Sequence, residues 1–455
     1  MAARLREGFT TGSAATGAAL AALHLLRAGC APGHVDVPLP PFSSGSSAPS
    51  GPRDAATAVA ADAAIPDTAK DAAPDAANDA TPEHADIPTP RGWLRLEVAV
   101  CGHGPAPELA AWPEFAPLFV EGGCAQSTGA GQNAHPRVAH ASIRKDGGDD
   151  PDATSGALIT ATVVENFAMT GQTGVTAAAA TETDAANSPA VSIEGGPGVG
   201  RVTLPGLPVP VGEAAVNPTP RQQIAFAMRH GALVFGTGPC PPLRVIVSVP
   251  EGERLARQTF NPRLGIVGGI SILGTQGTVR PYSHQAWKAT IEQGLAVAAA
   301  TGCRDMGLTT GRRSERLLMD KYPQMPQRSF IQVADFAAFS LKAAGAMPFD
   351  NLIWGCFFGK LVKLAQGHAY THARHAELDM EDLAHLCRQC GASCADQVRH
   401  CITAAHALEL LLQDKAGNDV IALAGEKAAA VAANFAGRHV RLHLFHTDGR
   451  ELLAL

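Results

Sequence analysis

The sequence predicts an α+β two-layer domain over residues 1–255, followed by an α/β domain with a mostly parallel sheet over 256–455. Three observations carry this. Up to about residue 255, runs rich in branched residues follow one another and outnumber helical patterns. Beyond it, strand and helix patterns alternate four times, the rhythm of a parallel sheet with helices on its faces. The chain has 455 residues, enough for two hydrophobic cores.

In order, residues 8–29 read as a helix. Thr10, Thr11 or Ser13 caps its start, an Ala/Leu run follows, and Gly29 stops it. "VDVPLP" (35–40) begins a strand that "RGWLRLEVAV" (91–100) resumes. Between them, 41–90 is low in complexity and rich in Ala, Asp, Pro and Ser. It lacks the aromatic and branched residues that offset ordering entropy, so a disordered insertion is expected. A second such stretch runs over 168–190. "SGALITATVV" (155–164), "VSIEG" (191–195) and "LRVIVSVP" (243–250) read as strands, and "NPTPRQQIAFAMRHG" (217–231) as a helix entered through prolines.

The second half reads as strand–helix pairs: "GIVGGISILG" with 284–301, "RDMGLTTG" (304–311) with "RRSERLLMDKYP", "SFIQVAD" (329–335) with "FAAFSLKAAGA", and "DNLIWGCF" (350–357) with "GKLVKLAQG". The chain's last residues form a hairpin turning at Asp448-Gly449.

Composition excludes several classes. Nine acids and three bases lie in 36–92, which is the whole net charge of −6, so no basic surplus points to nucleic acid. No uncharged run of 18 or more apolar residues is present, so no spanning helix is expected. "AATGAALAALHLLRAGC" has the look of an export signal, but Glu7 precedes it and His24 and Arg27 interrupt it. A cytoplasmic protein is expected. Ten cysteines are too sparse for a disulfide scaffold. Cys387, Cys390, Cys394 and Cys401 could hold a metal, but their spacing fits one buried helical face better, with a break at Gly391.

Ligands of open α/β sheets sit outside the carboxyl ends of the strands. Four such ends carry a glycine, a charge or a hydroxyl: Gly274 to Thr278, Thr309 to Arg312, Asp335, and Gly355 with Gly359-Lys360. The first lacks the Gly-Lys-Ser/Thr of a nucleotide phosphate loop and the full dinucleotide glycine spacing. It is either a small-cofactor loop or a tight turn.

Several stretches carry a resemblance: "REGFTTGSAATGAALAAL", "RKDGGDDPDATSGALITATV", "GGPGVGRVTLPGLPVPVGEAAVNPTPRQQI", "VPEGERLARQTFNPRLGIVGGISILGTQGTVRPYS" and "GKLVKLAQGHAYTHAR". Together they resemble the cobalt-precorrin-5B C1-methyltransferases (CbiD) of anaerobic cobalamin biosynthesis, in order and over most of the chain. The two low-complexity stretches depart from that pattern.

The resemblance implies a Rossmann-like α/β half and a methyl transfer from S-adenosyl-L-methionine to carbon 1 of a cobalt-loaded macrocycle, giving cobalt-precorrin-6A. Cobalt arrives within the substrate, and no protein metal site is required. The partner is a carboxylate-edged tetrapyrrole; neighbouring pathway enzymes are further candidates.

Expected cofactor-binding residues are Gly269, Ser271, Gly274, Thr275, Gly277, Thr310, Gly311 and Asp335. Expected substrate-binding residues are Thr10, Thr11, Gly12 and Ser13 at a helix start, the cations Arg221, Arg263, Arg280, Arg312 and Lys360, and His372. Arg144, Lys145, Arg201 and Lys363 are further cations within the matched stretches. Methyl transfer demands alignment more than a base; Asp335 is the sole catalytic candidate. A nicotinamide-dependent reductase and a non-enzymatic tetrapyrrole carrier are the alternatives. The absent ribose-binding acid argues against the first, and four furnished strand ends against the second.

Overall fold

The computed structural model describes residues 5–43, 89–119, 136–165, 190–236 and 241–455. The two low-complexity stretches lie outside the described residues except at their edges. There the first is narrower than expected, because His34–Ser43 and Thr89–Glu97 pair as an antiparallel ribbon up to Ser43 and Thr89. The molecule is a mixed α/β structure with several sheets.

The first core forms around α1 (Thr11–Ala28). Thr10 caps it, its hydroxyl accepting from Ser13 N at 3.2 Å, and Gly29 ends it at φ 74. The helix is apolar nearly all round and buried on all sides, as such a composition requires. One side packs on a five-stranded sheet of β1 (Val100–His103), β2 (Arg137–Arg144), β3 (Leu158–Glu165), β4 (Val191–Gly195) and β5 (Leu243–Ser248). The spatial order is β1-β2-β3-β5-β4, and only the last pair is parallel. The other side meets α2 (Pro218–Val234) and the ribbon. The expected two layers are therefore crossed by a central helix, because α1 has no polar stripe to leave in water.

The second core surrounds a sheet of β6 (Asp305–Thr309), β7 (Phe330–Gln332), β8 (Asn351–Phe357), β9 (Val440–Phe445) and β10 (Glu451–Ala454), ordered β7-β6-β8-β9-β10. The first four are parallel, and β10 closes the edge as the expected hairpin. Helix α3 (His284–Ala300) precedes β6. Helix α4 (Arg312–Lys321) follows β6 and packs Leu318 against Phe330 and Ile353 on one face. Helices α5 (Ala337–Gly345), α6 (Phe358–Ala365) and α7 (Gly417–Ala436) cover the other face. The chain thus leaves β6 toward one face and β8 toward the other. Their carboxyl ends flank a topological switch point, where open α/β sheets bind ligands.

The strand expected at "GIVGGISILG" is not in this sheet. Ile266–Val267 and Gly269–Ile270 are two-residue strands pairing with Arg201–Val202 and Gly198–Val199. The fourth parallel strand is instead Val440–Phe445. Cys387, Cys394 and Cys401 are buried in the second core, where burial pushes the Cys387 thiol up to about 12. Only Cys387 lies in the helix Met380–Gln389, after which Gly391 turns the chain at φ 73; Cys394 starts the next helix, Ala395–Arg399, and Cys401 follows it, so the three share a core and not the one helical face expected.

Candidate functional site

The glycine loop is folded onto α1. Thr10 N donates to Gly277 O (3.0 Å), Gly12 N to Leu273 O (3.1 Å) and Ser13 Oγ to Gly277 O (2.8 Å). Thr11 Oγ accepts from Leu273 N (2.9 Å) and reaches Ser271 O at 3.2 Å. The amides and hydroxyls expected to hold a substrate carboxylate at the helix start are therefore taken by the loop expected to hold the cofactor. Gly274 sits at φ 135, and a Cβ there would lie 2.5 Å from Thr10 Cβ. Gly269 packs its backbone on Gly198, and its carbonyl accepts from Asn261 Nδ2 (3.1 Å). Thr275 is exposed.

Beside this junction lies a cavity of about 220 Å³. Its polar wall includes Thr10, Thr11, Lys145, Asp152, Asn261 and Ser271; Val202, Leu264 and Ile266 line the apolar side. Lys145 is 2% exposed and ion-paired with Asp152. Burial alone would push the Asp152 carboxyl up. The Lys145 ammonium, with the hydroxyl and amide of Thr154, overcomes it and holds the group below the ordinary range. The cavity is smaller than the pockets of roughly 300 Å³ and more that enclose a cofactor.

The open ground is at the strand ends. After β6, Thr310 N meets Gly355 O of β8 at 3.4 Å, and Thr310 Oγ lies 3.4 Å from Ser314 Oγ. Gly311 has open space above it, and α4 starts there with no side-chain cap. Its first amides are thus available to an anionic group. Arg312 is exposed and has no ion pair among the described residues.

After β7, Asp335 does not cap α5. Lys360, from the first turn of α6, reaches across to pair with it, and Thr371 Oγ bonds the same carboxylate oxygen at 3.3 Å. Lys360 and Lys363 share Thr371 O, each at 3.2 Å. Burial, then the Lys360 charge, lower the Lys363 pKa. Above this floor stands a group of rings of which only His372 was among the sequence-based expectations. Tyr370 Oη meets His284 Nε2 at 3.0 Å and its ring stacks near-parallel to His372, 6.0 Å between centroids. Phe336 lies 5.0 Å from Tyr370 and 5.3 Å from His284. Burial and the Asp335 charge raise the Tyr370 phenol. The "YSHQAWK" pattern was the available signal: a helix start with an imidazole, then an indole and an ammonium about one turn on. Its meaning depended on a partner loop 80 or more residues away.

The remaining expected cations are dispersed. Arg263 forms a bidentate pair with buried Glu315, and Gln332 joins at 2.7 Å. Arg221 is half-buried, bonding Val216 O (2.9 Å) and Ile193 O (3.1 Å). Arg201 bonds Gly212 O and Arg144 bonds Gly156 O. Arg280 is exposed, 3.5 Å from Glu7. The structure brings together Thr310, Gly311, Arg312, Asp335, Lys360 and His372 at one end of one sheet. It does not bring Arg221 or Arg280 there.

Comparisons with known proteins agree with one another. A family model described as CbiD matches residues 128–281, and one described as CbiD, C-terminal domain, matches 370–454. A Nitratidesulfovibrio vulgaris protein named cobalt-precorrin-5B C(1)-methyltransferase is 52% identical over 314 residues, 68% of this chain and 76% of its own length. A Geobacillus thermodenitrificans protein of the same name is 47% identical, covering 57% of this chain and 63% of its own. A crystal structure of the cobalamin biosynthesis protein cbiD from Archaeoglobus fulgidus aligns over 78% of both chains at 21% identity and TM-score 0.30, a superposition too loose to bear on the fold. No helix among the described residues is long and apolar enough to cross a membrane.

Proposed function

This chain belongs to the CbiD family, and from that premise we propose that it transfers a methyl group from S-adenosyl-L-methionine to carbon 1 of cobalt-precorrin-5B, yielding cobalt-precorrin-6A in cobalamin biosynthesis. The observation that carries the reading is the 52% identity to a relative of that name over 76% of its length. We read the chain as two domains, the second Rossmann-like and doubly wound.

The donor's place is the crevice between the ends of β6 and β8. The residues there fit it: open space at Gly311, the Thr310 hydroxyl, and uncapped amides that suit a carboxylate. When bound, the donor supplies an electrophilic methyl on a sulfonium. The chain's task is to align it with the ring carbon and keep water out. Lys360 holds Asp335 at the crevice's edge, which fixes the position of one negative charge near the cation. Cobalt travels with the substrate.

Calorimetric titration with S-adenosylhomocysteine tests the donor site. Micromolar binding is expected, weakened at least roughly tenfold by Gly311→Val, since binding there needs close backbone approach. Unchanged affinity in the variant would move the donor elsewhere. A purified chain that binds donor and macrocycle but yields no methylated product would sink the methyltransferase reading.

A further inference from the structure

We infer that the ring group at the end of β7, Tyr370 with His284, His372 and Phe336, is the platform on which the tetrapyrrole lies, with Lys288 and Arg374 at its edge as partners for ring carboxylates. This rests on the methyltransferase reading and adds the residues that would receive the acceptor.

Four observations support it. First, the rings form a connected set that leaves π surface in reach of solvent. His284 and His375 are exposed, Tyr370 and His372 partly so, and neighbouring centroids lie 4.9 to 6.0 Å apart. A flat conjugated ligand gains most from such faces. Second, the platform is held in place from two directions. The Tyr370–His284 hydrogen bond ties the loop after α6 to the start of α3, and Thr371 N bonds Asp335 O at 2.9 Å beneath.

Third, the charges suit a polycarboxylate. Of the acids nearby, Asp335 is paired with Lys360 and Glu315 with Arg263, which leaves Glu292 and Glu377 facing Lys288 and Arg374 along their own segments. Lys288 lies over the Phe339 ring at 5.0 Å, and neither it nor Arg374 has an ion pair among the described residues. Fourth, the position is right. Neighbouring strands are about 4.8 Å apart, and β7 adjoins β6, so the platform stands one strand from the donor crevice. The first two turns of α3, residues 284–289, are exposed throughout, including Trp287 at 38%. A plate lying on Tyr370 would cover them.

The test is a titration of the full chain with uroporphyrin III, a planar carboxylate-edged tetrapyrrole, followed by its Soret band. Tyr370→Ala and His372→Ala should each weaken binding roughly tenfold, the scale of a lost stacking face. Tyr370→Phe keeps the ring and should stay within about threefold. Lys288→Ala should weaken binding about threefold and flatten its salt dependence. Trp93→Ala removes a half-exposed indole on the distant ribbon and should change nothing. Circular dichroism on Tyr370→Ala separates lost binding from lost folding. Unaltered affinity in Tyr370→Ala and His372→Ala overturns the platform and leaves methyl transfer standing. Porphyrin binding that depends on Tyr370, in a chain that does not bind S-adenosylhomocysteine, supports the platform and overturns the donor site. No porphyrin binding by the unmutated chain overturns the platform.

Discussion

Two glycines that look equivalent in the sequence differ in kind. Gly274 occupies left-handed backbone against Thr10, whereas Gly311 is extended with nothing near its Cα hydrogens. Gly274→Val should cost about 2–4 kcal/mol of stability through strain and clash. Gly311→Val should leave the denaturation midpoint unchanged, and urea titration of both variants checks this. The Lys145–Asp152 pair makes a second prediction. Asp152→Asn strands a buried ammonium and should cost about 3–5 kcal/mol. The sign with pH follows from the depressed Asp152 pKa. Its contribution is complete above the unfolded value near 3.9 and is lost as pH falls through the lower folded value. Unfolding free energies measured between pH 7 and 2 should therefore fall less steeply below about pH 4 in Asp152→Asn than in the unmutated chain. Neither role could be read from the sequence, where Lys145 is one cation among many. Burial makes it special, and burial is a property of the packed chain.

At the scale of elements, α3 joins the second core to a small cluster beside the cavity. Ile291, Leu295 and Ala298 belong to the second core, while Val297 packs with Val202 and Leu264 of that cluster. Gly206, at φ 105, lets a loop backbone lie directly on Ala296 and Val297. A second tie is Arg263 with Glu315, from the turn Asn261–Leu264 to α4. Glu315→Gln keeps the shape and removes the charge; it should lower stability by about 2 kcal/mol. Calorimetry should show a lower unfolding temperature, and an unchanged one would mean the pair is not a tie. Helix positions through α6 were legible because each carries its own signal, whereas α7 was not expected. Thr10 and Gly29 mark α1, and the alternation after residue 304 marks β6 through α6. The strand at 266–273 misled because a run of Ile, Val and Gly reads the same whether it joins a large sheet or two short bridges. Strand pairing is decided by non-local hydrogen bonds.

At the scale of the molecule, the long connection in the ribbon is the simplest part to remove. Its ends pair at Ser43 and Thr89, so a short turn could join them. Replacing 45–88 by a turn of about four residues should leave activity intact. It should also gain up to about 2 kcal/mol, since the closed loop shortens by roughly three doublings. Thermal unfolding and a methyl-transfer assay check both parts, and a deletion variant unable to fold would refute the prediction.

By itself, the sequence determined the order of the helices through α6 and most strands, the family, and the groups able to meet an anion. Those follow from local periodicity, capping chemistry and long matched stretches. Only the tertiary structure decided which of those groups are free. The start of α1 and the glycine loop satisfy each other, Arg263 is spent on Glu315 and Asp335 on Lys360, and the strand end at Thr310-Gly311 is left open. It also brought His284 to Tyr370, across 86 residues of chain. A polar group's partner is set by what the fold packs beside it, and no local pattern records that.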